Sequence, residues 1–292
     1  MNCVLSPCRK YTTKREIREG DGTRGAVLFF GIISRMEHMI GGVKSDTLIN
    51  DFAIRCFRDV ADQDYIAARM AYRAGLFPQF HWSASQAVEK YLKGILLLNR
   101  VKATDINHDL AKALEHAKKL PFKIKLSPSS ENLIKHLDTF GRFRYMESSF
   151  YIHGPKLVEL DKTVWEIRRY CTILNYEARW LLKDGQTMNI FNTELARIEN
   201  SEKEAPQKFR LMGGGVLERI LKKKDDPARK PLIWQNAFFG SSTRQRVRMT
   251  VYHHATNAPL TLHPEILEEV IKYVFLPREV VKAYREELAK RS

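Results

Sequence analysis

Apolar side chains recur at helical spacing from Thr47 onward and predict a long first helix that ends near Gly75 and Pro78. The stretch HWSASQAVEKYLKGILL, residues 81–97, predicts a second helix with one apolar stripe. The opposite stripe of this second helix is polar and includes Gln86, Glu89 and Lys93. Such a stripe is either an ordinary solvated face or a polar seam that binds something.

A broken third element and a long fourth helix follow. The third element consists of DLAKALEHAKKL, then Pro121, then SPSSENLIKHLDTFGRF, in which Ser127 is the expected N-cap and Pro128 suits the first turn. Residues 157–182 carry apolar positions at helical spacing and predict the fourth helix. Two long antiparallel pairs with short connections predict a mainly α fold, an up-and-down four-helix bundle over residues 46–183.

The segments on either side of the bundle have a different pattern. Residues 1–45 show neither helical nor strand periodicity, so we expect a poorly ordered leader, with Met36 or Met39 as an alternative start. After a boundary near Asp184-Gly185, residues 184–292 are expected to form a small α+β or helical C-terminal extension. Its predicted parts are a helix over 191–221 with a weak point at 213–215, a charged linker at 222–231, a strand at 244–253, and two helices that begin at Pro264 and Pro277.

The charge of the chain indicates a class of partner. Its 292 residues include 49 lysines and arginines against 34 acidic residues, and the net charge of +15 favours polyanionic partners, RNA or nucleotides first. The alternative is that this charge serves solubility alone.

Composition also indicates a cytoplasmic protein without a cofactor or metal. The longest apolar run near the N-terminus, residues 26–33, is far shorter than the roughly 20 residues that span a bilayer, and no cleavage site follows it. The four cysteines form no CxxC pair, and we interpret them as reduced thiols. His253, His254 and His263 form a histidine cluster, but no thiolate accompanies it, so we expect no metal site.

The polar stripe alone needs no functional explanation, because Glu89 and Lys93 have the favourable i,i+4 order of an exposed helix face. Its interpretation changes with two later motifs, NHDL at residues 107–110 and GRFRY at 141–145. In this order, and within a helical bundle, the three motifs resemble those of the HEPN family (higher eukaryotes and prokaryotes nucleotide-binding). The positions that match the family's pattern are Gln86, Glu89, Lys90, Lys93, His108, Asp109, Arg144 and Tyr145.

The resemblance implies a homodimeric bundle that binds RNA or nucleotides, often encoded beside a nucleotidyltransferase and in many members a metal-independent ribonuclease. It also implies that the polar stripe lies inside the bundle or at the dimer interface. A buried Glu89–Lys93 pair needs further hydrogen-bond partners to offset its desolvation, and Arg144 and His108 are the candidates.

The spacing of arginine and histidine departs from that of the ribonuclease branch. That branch uses an arginine followed four to six residues later by a histidine, because histidine moves protons near neutral pH while arginine binds phosphate. Within the predicted bundle, Arg144 precedes His153 and Arg100 precedes His108, and neither spacing fits.

A fitting spacing occurs outside the predicted bundle. Arg248 stands before His253 and His254, which makes these three the catalytic candidates, with an ordinary phosphate-contacting patch as the alternative use. In a strand, His254 would share a face with Arg248 and His253 would not. The functions left open are a binding or scaffold protein, a ribonuclease of the toxin or defence type, and, as a weaker alternative, a purely structural dimer.

Overall fold

The structure of the protein is a computed structural model that describes residues 44–141, 149–172, 174, 177–178, 188–201, 215–240, 247 and 252–291. The chain divides into two compact units, Met1–Leu48 and Ile49–Ser292. Of the predicted leader, all residues except Lys44 and Ser45 lie outside the described ones, so its disorder stays a prediction.

The first two predicted helices are both present. The first contains a π-helical stretch, and the turn after it places Gly75 at a positive φ of 74°, which glycine adopts without a Cβ penalty. The second begins one residue before Pro78, where a missing N–H costs nothing. Their bounds are α1 (Lys44–Phe52), the π-helical Ala53–Arg58, α2 (Asp59–Arg73) and α3 (Phe77–Leu98).

The third element is broken as predicted. Its two parts are α4 (Leu110–Ala117) and α5 (Pro128–Phe140). Ser127 is the N-cap of α5, and its hydroxyl accepts a hydrogen bond of 3.4 Å from the backbone N–H of Ser130. The predicted capping residue is therefore confirmed.

The fourth helix is shorter than the sequence predicts. α6 covers Lys156–Arg168, so the prediction of a helix to residue 182 was wrong. The backbone N–H groups of Tyr170 and Cys171 bond to carbonyls three residues earlier, which tightens the chain and ends the α-helix. This turn buries Tyr170, which stacks on Phe122 with ring centres 5.5 Å apart. Two short paired strands follow, β2 (Glu177–Ala178) and β3 (Met188–Asn189).

The later part of the chain contributes short helices and one strand. A strand that the sequence did not predict, β1 (Phe150–Gly154), pairs antiparallel with β4 (Tyr252–Thr256). The strand predicted at 244–253 is therefore confirmed at its end, and apart from Val247 its residues before Tyr252 lie outside the described ones. The remaining elements are α7 (Ile190–Asn200), α8 (Val216–Lys222), α9 (Arg229–Ile233), α10 (Pro259–Leu262), a 3₁₀ turn (Pro264–Ile266), α11 (Leu267–Val270) and α12 (Arg278–Arg291).

One apolar core holds most of these elements together. Side chains such as Leu92, Ile95 and Leu160 are fully buried in it, and each removal of such a side chain from water contributes about 1.5–3 kcal/mol. The core also takes in apolar residues that follow the predicted boundary near Asp184-Gly185, namely Ile198, Val216, Leu217, Ile220, Leu232 and Phe239. Packing thus continues past that position, and the division into domains stays a prediction.

A second, smaller cluster joins the last helices. It consists of Leu260, Leu267, Val280 and Tyr284. The helix predicted to begin at Pro264 is present only as the 3₁₀ turn leading into α11, which ends at Val270. The helix predicted to begin at Pro277 is confirmed as α12. None of the described helices is long and apolar enough to cross a membrane.

Candidate functional site

The polar stripe of α3 is organised around the carboxylate of Glu89. Lys93 Nζ lies 2.6 Å from Glu89 Oε1, and His108 Nδ1 lies 3.0 Å from Glu89 Oε2. The Gln86 amide donates a longer bond of 3.3 Å to the same Oε2. Both carboxylate oxygens therefore have partners, which a nearly buried charge requires.

A second ion pair extends this arrangement toward α2. Lys90 Nζ lies 2.6 Å from Asp64 Oδ2 and donates to Gln86 Oε1 over 3.0 Å. Lys93 also donates to the carbonyl of Asn107, 2.9 Å away, which ties the loop before α4 to α3. We call this group the Glu89 cluster, and its members are Asp64, Gln86, Glu89, Lys90, Lys93 and His108.

The side chains of the Glu89 cluster range from nearly buried to exposed. The Glu89 side chain is 5% exposed, that of Lys93 20% and that of His108 58%. The Trp82 ring lies beside the exposed end, 6.1 Å from the His108 ring. The cluster therefore presents an amide and an imidazole that the Glu89 carboxylate contacts from below, and the Trp82 indole lies next to them.

The sequence predicted His108 and Arg144 as partners of Glu89. His108 contacts the carboxylate as expected. Arg144, like Tyr145, lies outside the described residues, so its pairing with Glu89 stays a prediction. Asp109, another predicted binding residue, is the N-cap of α4, and its Oδ1 accepts a bond of 2.7 Å from the Lys112 backbone N–H.

The predicted catalytic residues are only partly described. Arg248 lies outside the described residues, and of His253 the structure describes only the backbone. His254 is exposed, its Nε2 lies 2.8 Å from the Thr256 hydroxyl, and its ring packs 5.1 Å from the Phe77 ring. The strand register pairs His153 with His253, so the histidine that follows Arg144 and the first histidine that follows Arg248 lie side by side in one ribbon.

Sequence reasoning missed a buried charged network between α2 and α6. The two antiparallel helices exchange Asp–Arg pairs, in which Arg168 Nε donates to Asp62 Oδ1 over 2.7 Å and Arg69 donates to Asp161. Arg168 and Asp62 are 1% and 0% exposed. Each helix carries Asp and Arg seven residues apart, about two turns, and this repeated spacing is the signal that could have revealed the network. We call Asp62, Arg69, Asp161 and Arg168 the Asp–Arg network.

The Asp–Arg network also anchors the segment that contains α8 and α9. Arg168 contacts Glu218 of α8 at 2.8 Å, and Asp62 accepts from the Leu217 backbone N–H at 3.2 Å. Arg69 donates to the Pro231 carbonyl over 3.0 Å and to the carbonyl of Trp234. These contacts fix both short helices to the bundle.

A buried histidine pair lies elsewhere in the core. His81 Nε2 and His136 Nε2 are 2.9 Å apart, so one neutral imidazole donates and the other accepts. Burial, together with the charges of His136 and Lys156, lowers the pKa of His81 to about 3. Burial, with Lys156 nearby, lowers the pKa of His136 to about 4. Within the described part of the chain, no three metal-ligating side chains come together.

Comparison with known proteins agrees with the motifs in α3 and α4. No curated protein and no solved structure matches the chain significantly. A family model does match, over residues 55–153, and its description is HEPN domain. The matched range runs from the π-helical stretch to β1 and contains the whole Glu89 cluster. Residues 55–153 of this chain are therefore similar to HEPN domains.

Proposed function

We propose that this HEPN-like protein binds RNA or nucleotides at the Glu89 cluster and acts as a binding or scaffold protein rather than as an enzyme. The observation that carries the proposal is the 5% exposed Glu89 carboxylate, which holds Lys93 and the exposed His108 at the surface of the HEPN-like domain. A buried ion pair is weak evidence for stability, because apolar residues of similar size often stabilise a fold as well. The Glu89–Lys93 pair instead supports a binding role, because Glu89 orients polar groups that are exposed.

The exposed end of the cluster has the chemistry that unpaired bases require. Single-stranded RNA is recognised through stacking on aromatic rings and hydrogen bonds to base edges. Trp82 and His108 supply rings, and the Gln86 amide supplies a donor and an acceptor. Because Lys90 and Lys93 already face carboxylates, recognition here depends on hydrogen bonds and stacking more than on net charge.

The proposal includes a homodimer and a nucleotidyltransferase partner, both carried over from the family resemblance. Light scattering in moderate salt should then give about twice the chain mass of 34.0 kDa. A monomer at micromolar concentration would count against the dimer.

Ribonuclease activity of the toxin or defence type is the second candidate. The pairing of His153 with His253 favours it, because two neighbouring histidines can act as general acid and general base at phosphorus. Arg248 would supply the charge that holds the phosphate.

Incubation of the protein with labelled total RNA, with and without a chelator, separates the two candidates. Retention of intact RNA supports the binding protein. Cleavage that survives chelation and is lost in His153→Ala, but not in the exposed control His263→Ala, would establish the ribonuclease instead. If the protein neither binds nor cleaves RNA and also binds no nucleotide, the result would favour the purely structural dimer.

A further inference from the structure

The Glu89 cluster leaves the charge of the protein unexplained. Its two lysines each face a carboxylate at 2.6 Å, so the cluster itself contributes little positive potential. The affinity of proteins for RNA depends largely on cations that replace counterions along the phosphate backbone. If the chain binds RNA, other cations must supply that contact.

Such cations are concentrated on α8, on the start of α9 and in the connection between them. Over residues 219–230, two aspartates accompany six basic residues, and five of the six are exposed while Arg229 is half-buried. None of the six forms an ion pair with any residue that the structure describes, and Arg229 donates to the Leu221 carbonyl over 3.2 Å. We call this group the basic segment, and its cations are Arg219, Lys222, Lys223, Lys224, Arg229 and Lys230.

The basic segment is held in a fixed shape. The inner face of α8 buries Val216, Leu217 and Ile220 in the core, while its Arg219 and Lys222 are exposed on the other side. The Asp–Arg network fixes α8 through Glu218 and fixes α9 through the Pro231 carbonyl. The sequence predicted a solvated linker here, but Arg219 and Lys222 lie on α8, Arg229 and Lys230 lie on α9, and Lys223 and Lys224 lie in the short connection between these helices. A surface that is ordered before binding loses less conformational entropy on binding.

An aromatic side chain stands at the end of the basic segment. The guanidinium of the exposed Arg73 lies 5.2 Å from the centre of the Trp234 ring, and the Trp234 backbone N–H donates to the Lys230 carbonyl. Arginine planes and aromatic rings are the surfaces on which bases stack.

We propose that the basic segment, lying outside the HEPN-like domain, is a second RNA contact that binds the phosphate backbone, while the Glu89 cluster contacts bases. The inference rests on the proposed function. It favours RNA over an anionic membrane surface, because no large apolar side chain is exposed between Gly215 and Gly240 to enter a bilayer. Phosphate contacts of this kind position a nucleic acid, and contacts with bases specify it.

The experiment compares two triple variants of the full chain by fluorescence anisotropy with a labelled single-stranded RNA across a series of salt concentrations. The test variant is Lys222→Gln with Lys223→Gln and Lys224→Gln. The control removes the same charge from exposed lysines outside both the basic segment and the Glu89 cluster, by Lys119→Gln with Lys123→Gln and Lys135→Gln. All six lysines are exposed, and circular dichroism checks that both variants keep the fold.

The test variant should bind RNA about 10- to 100-fold more weakly than the wild type, and the slope of log K against log salt should fall by about 2, near 0.7 for each lost contact. The control should match the wild type. Equal losses in both variants would overturn the inference, because net charge alone would explain them. Wild-type affinity in the test variant would overturn the inference alone. A wild type that binds no RNA, but binds anionic vesicles through the same lysines, would overturn both this inference and RNA as the ligand.

Discussion

Two polar networks that share α2 differ in their exposure to solvent. On α2, Asp62 belongs to the Asp–Arg network and Asp64 belongs to the Glu89 cluster. On α3, Tyr91 donates to Asp62, and Lys90 donates to Asp64. Arg168 and Asp62 are 1% and 0% exposed, whereas Lys90 and Asp64 are 24% and 27% exposed. Burial therefore separates a network that holds the fold from one that can contact a ligand.

The choice of cation follows the same division. The interior network uses arginine, whose planar guanidinium contacts two acidic groups at once, as Arg168 does with Asp62 and Glu218. The surface cluster uses lysine and histidine, which present fewer fixed donors and leave room for a ligand. The predictions below test this contrast, from the largest expected effect to the smallest.

Removal of Arg168 should have the largest effect on stability. Arg168→Ala leaves the buried Asp62 and the partly buried Glu218 without their cation, and breaking a buried pair in this way costs about 3–5 kcal/mol. Chemical denaturation measures the loss. Arg285→Ala is the matched control, since Arg285 forms an exposed pair with Glu268 and its removal should leave the midpoint unchanged. A small loss for Arg168→Ala would mean that the network is not what holds α8.

Acid should destabilise the protein through the buried histidine pair. Both pKa values are lowered, to about 3 for His81 and about 4 for His136, so the unfolded chain takes up protons below about pH 6.5 while the folded chain does not. The contribution of this pair to the free energy of unfolding should therefore be fully present above about pH 7, and the free energy of unfolding should fall by about 2–4 kcal/mol by pH 5.

Denaturation at several pH values measures that loss. His136→Leu should remove a substantial part of the dependence. The exposed His263→Leu serves as its control and should keep the wild-type slope. An unchanged slope in His136→Leu would show that the pair is protonated in the folded state.

The Glu89–Lys93 pair should couple less strongly, because Lys93 remains 20% exposed. A double-mutant cycle of Glu89→Gln and Lys93→Met should give a coupling energy of about 1–2 kcal/mol, within the range for residues in contact.

A parallel cycle of Glu89→Gln with Arg144→Ala tests the predicted Arg144 contact. Since Lys93, His108 and Gln86 already occupy both Glu89 oxygens, we expect a smaller coupling to Arg144. Additive effects of Glu89→Gln and Lys93→Met would show that the polar stripe is an ordinary solvated face.

Removal of the leader should have the smallest effect. A chain that begins at Met39 retains every residue from Lys44 onward, and the preceding residues lack the periodicity of a packed element. Circular dichroism and the melting temperature should stay at their full-length values. A loss of several degrees would show that the leader contributes to the fold.

Local patterns sufficed for much of the fold. Helical period indicated the positions of α2 and α3, and proline and serine marked the start of α5. Short motifs along α3 and at the start of α4 indicated the similarity to HEPN domains, which the family model also finds. These features depend on neighbours within a few residues, which a sequence displays directly.

The remaining features depend on residues far apart in the chain. Arg168 contacts Asp62 across 106 residues, and Asn236 contacts Tyr65 across 171, so no window of sequence contains both partners. The end of α6 at Arg168 was missed for the same reason, because apolar spacing continues past it while the buried Tyr170 finds its partner in Phe122. In the candidate site, spacing indicated Glu89 and Lys93, but only the fold brings Asp64 of α2 to Lys90 of α3.

The central claim is that the exposed end of the Glu89 cluster binds RNA or nucleotides. Fluorescence anisotropy with labelled RNA, and with a labelled nucleotide, should compare the wild type with the double variant Gln86→Ala, His108→Ala. The control is Asp105→Ala, His116→Ala, which removes a neighbouring acid–histidine contact of 3.2 Å outside the cluster. The account predicts that the cluster variant binds at least about tenfold more weakly, a change of about 1.4 kcal/mol, while the control binds as the wild type does. Equal affinity of the cluster variant and the wild type would contradict it.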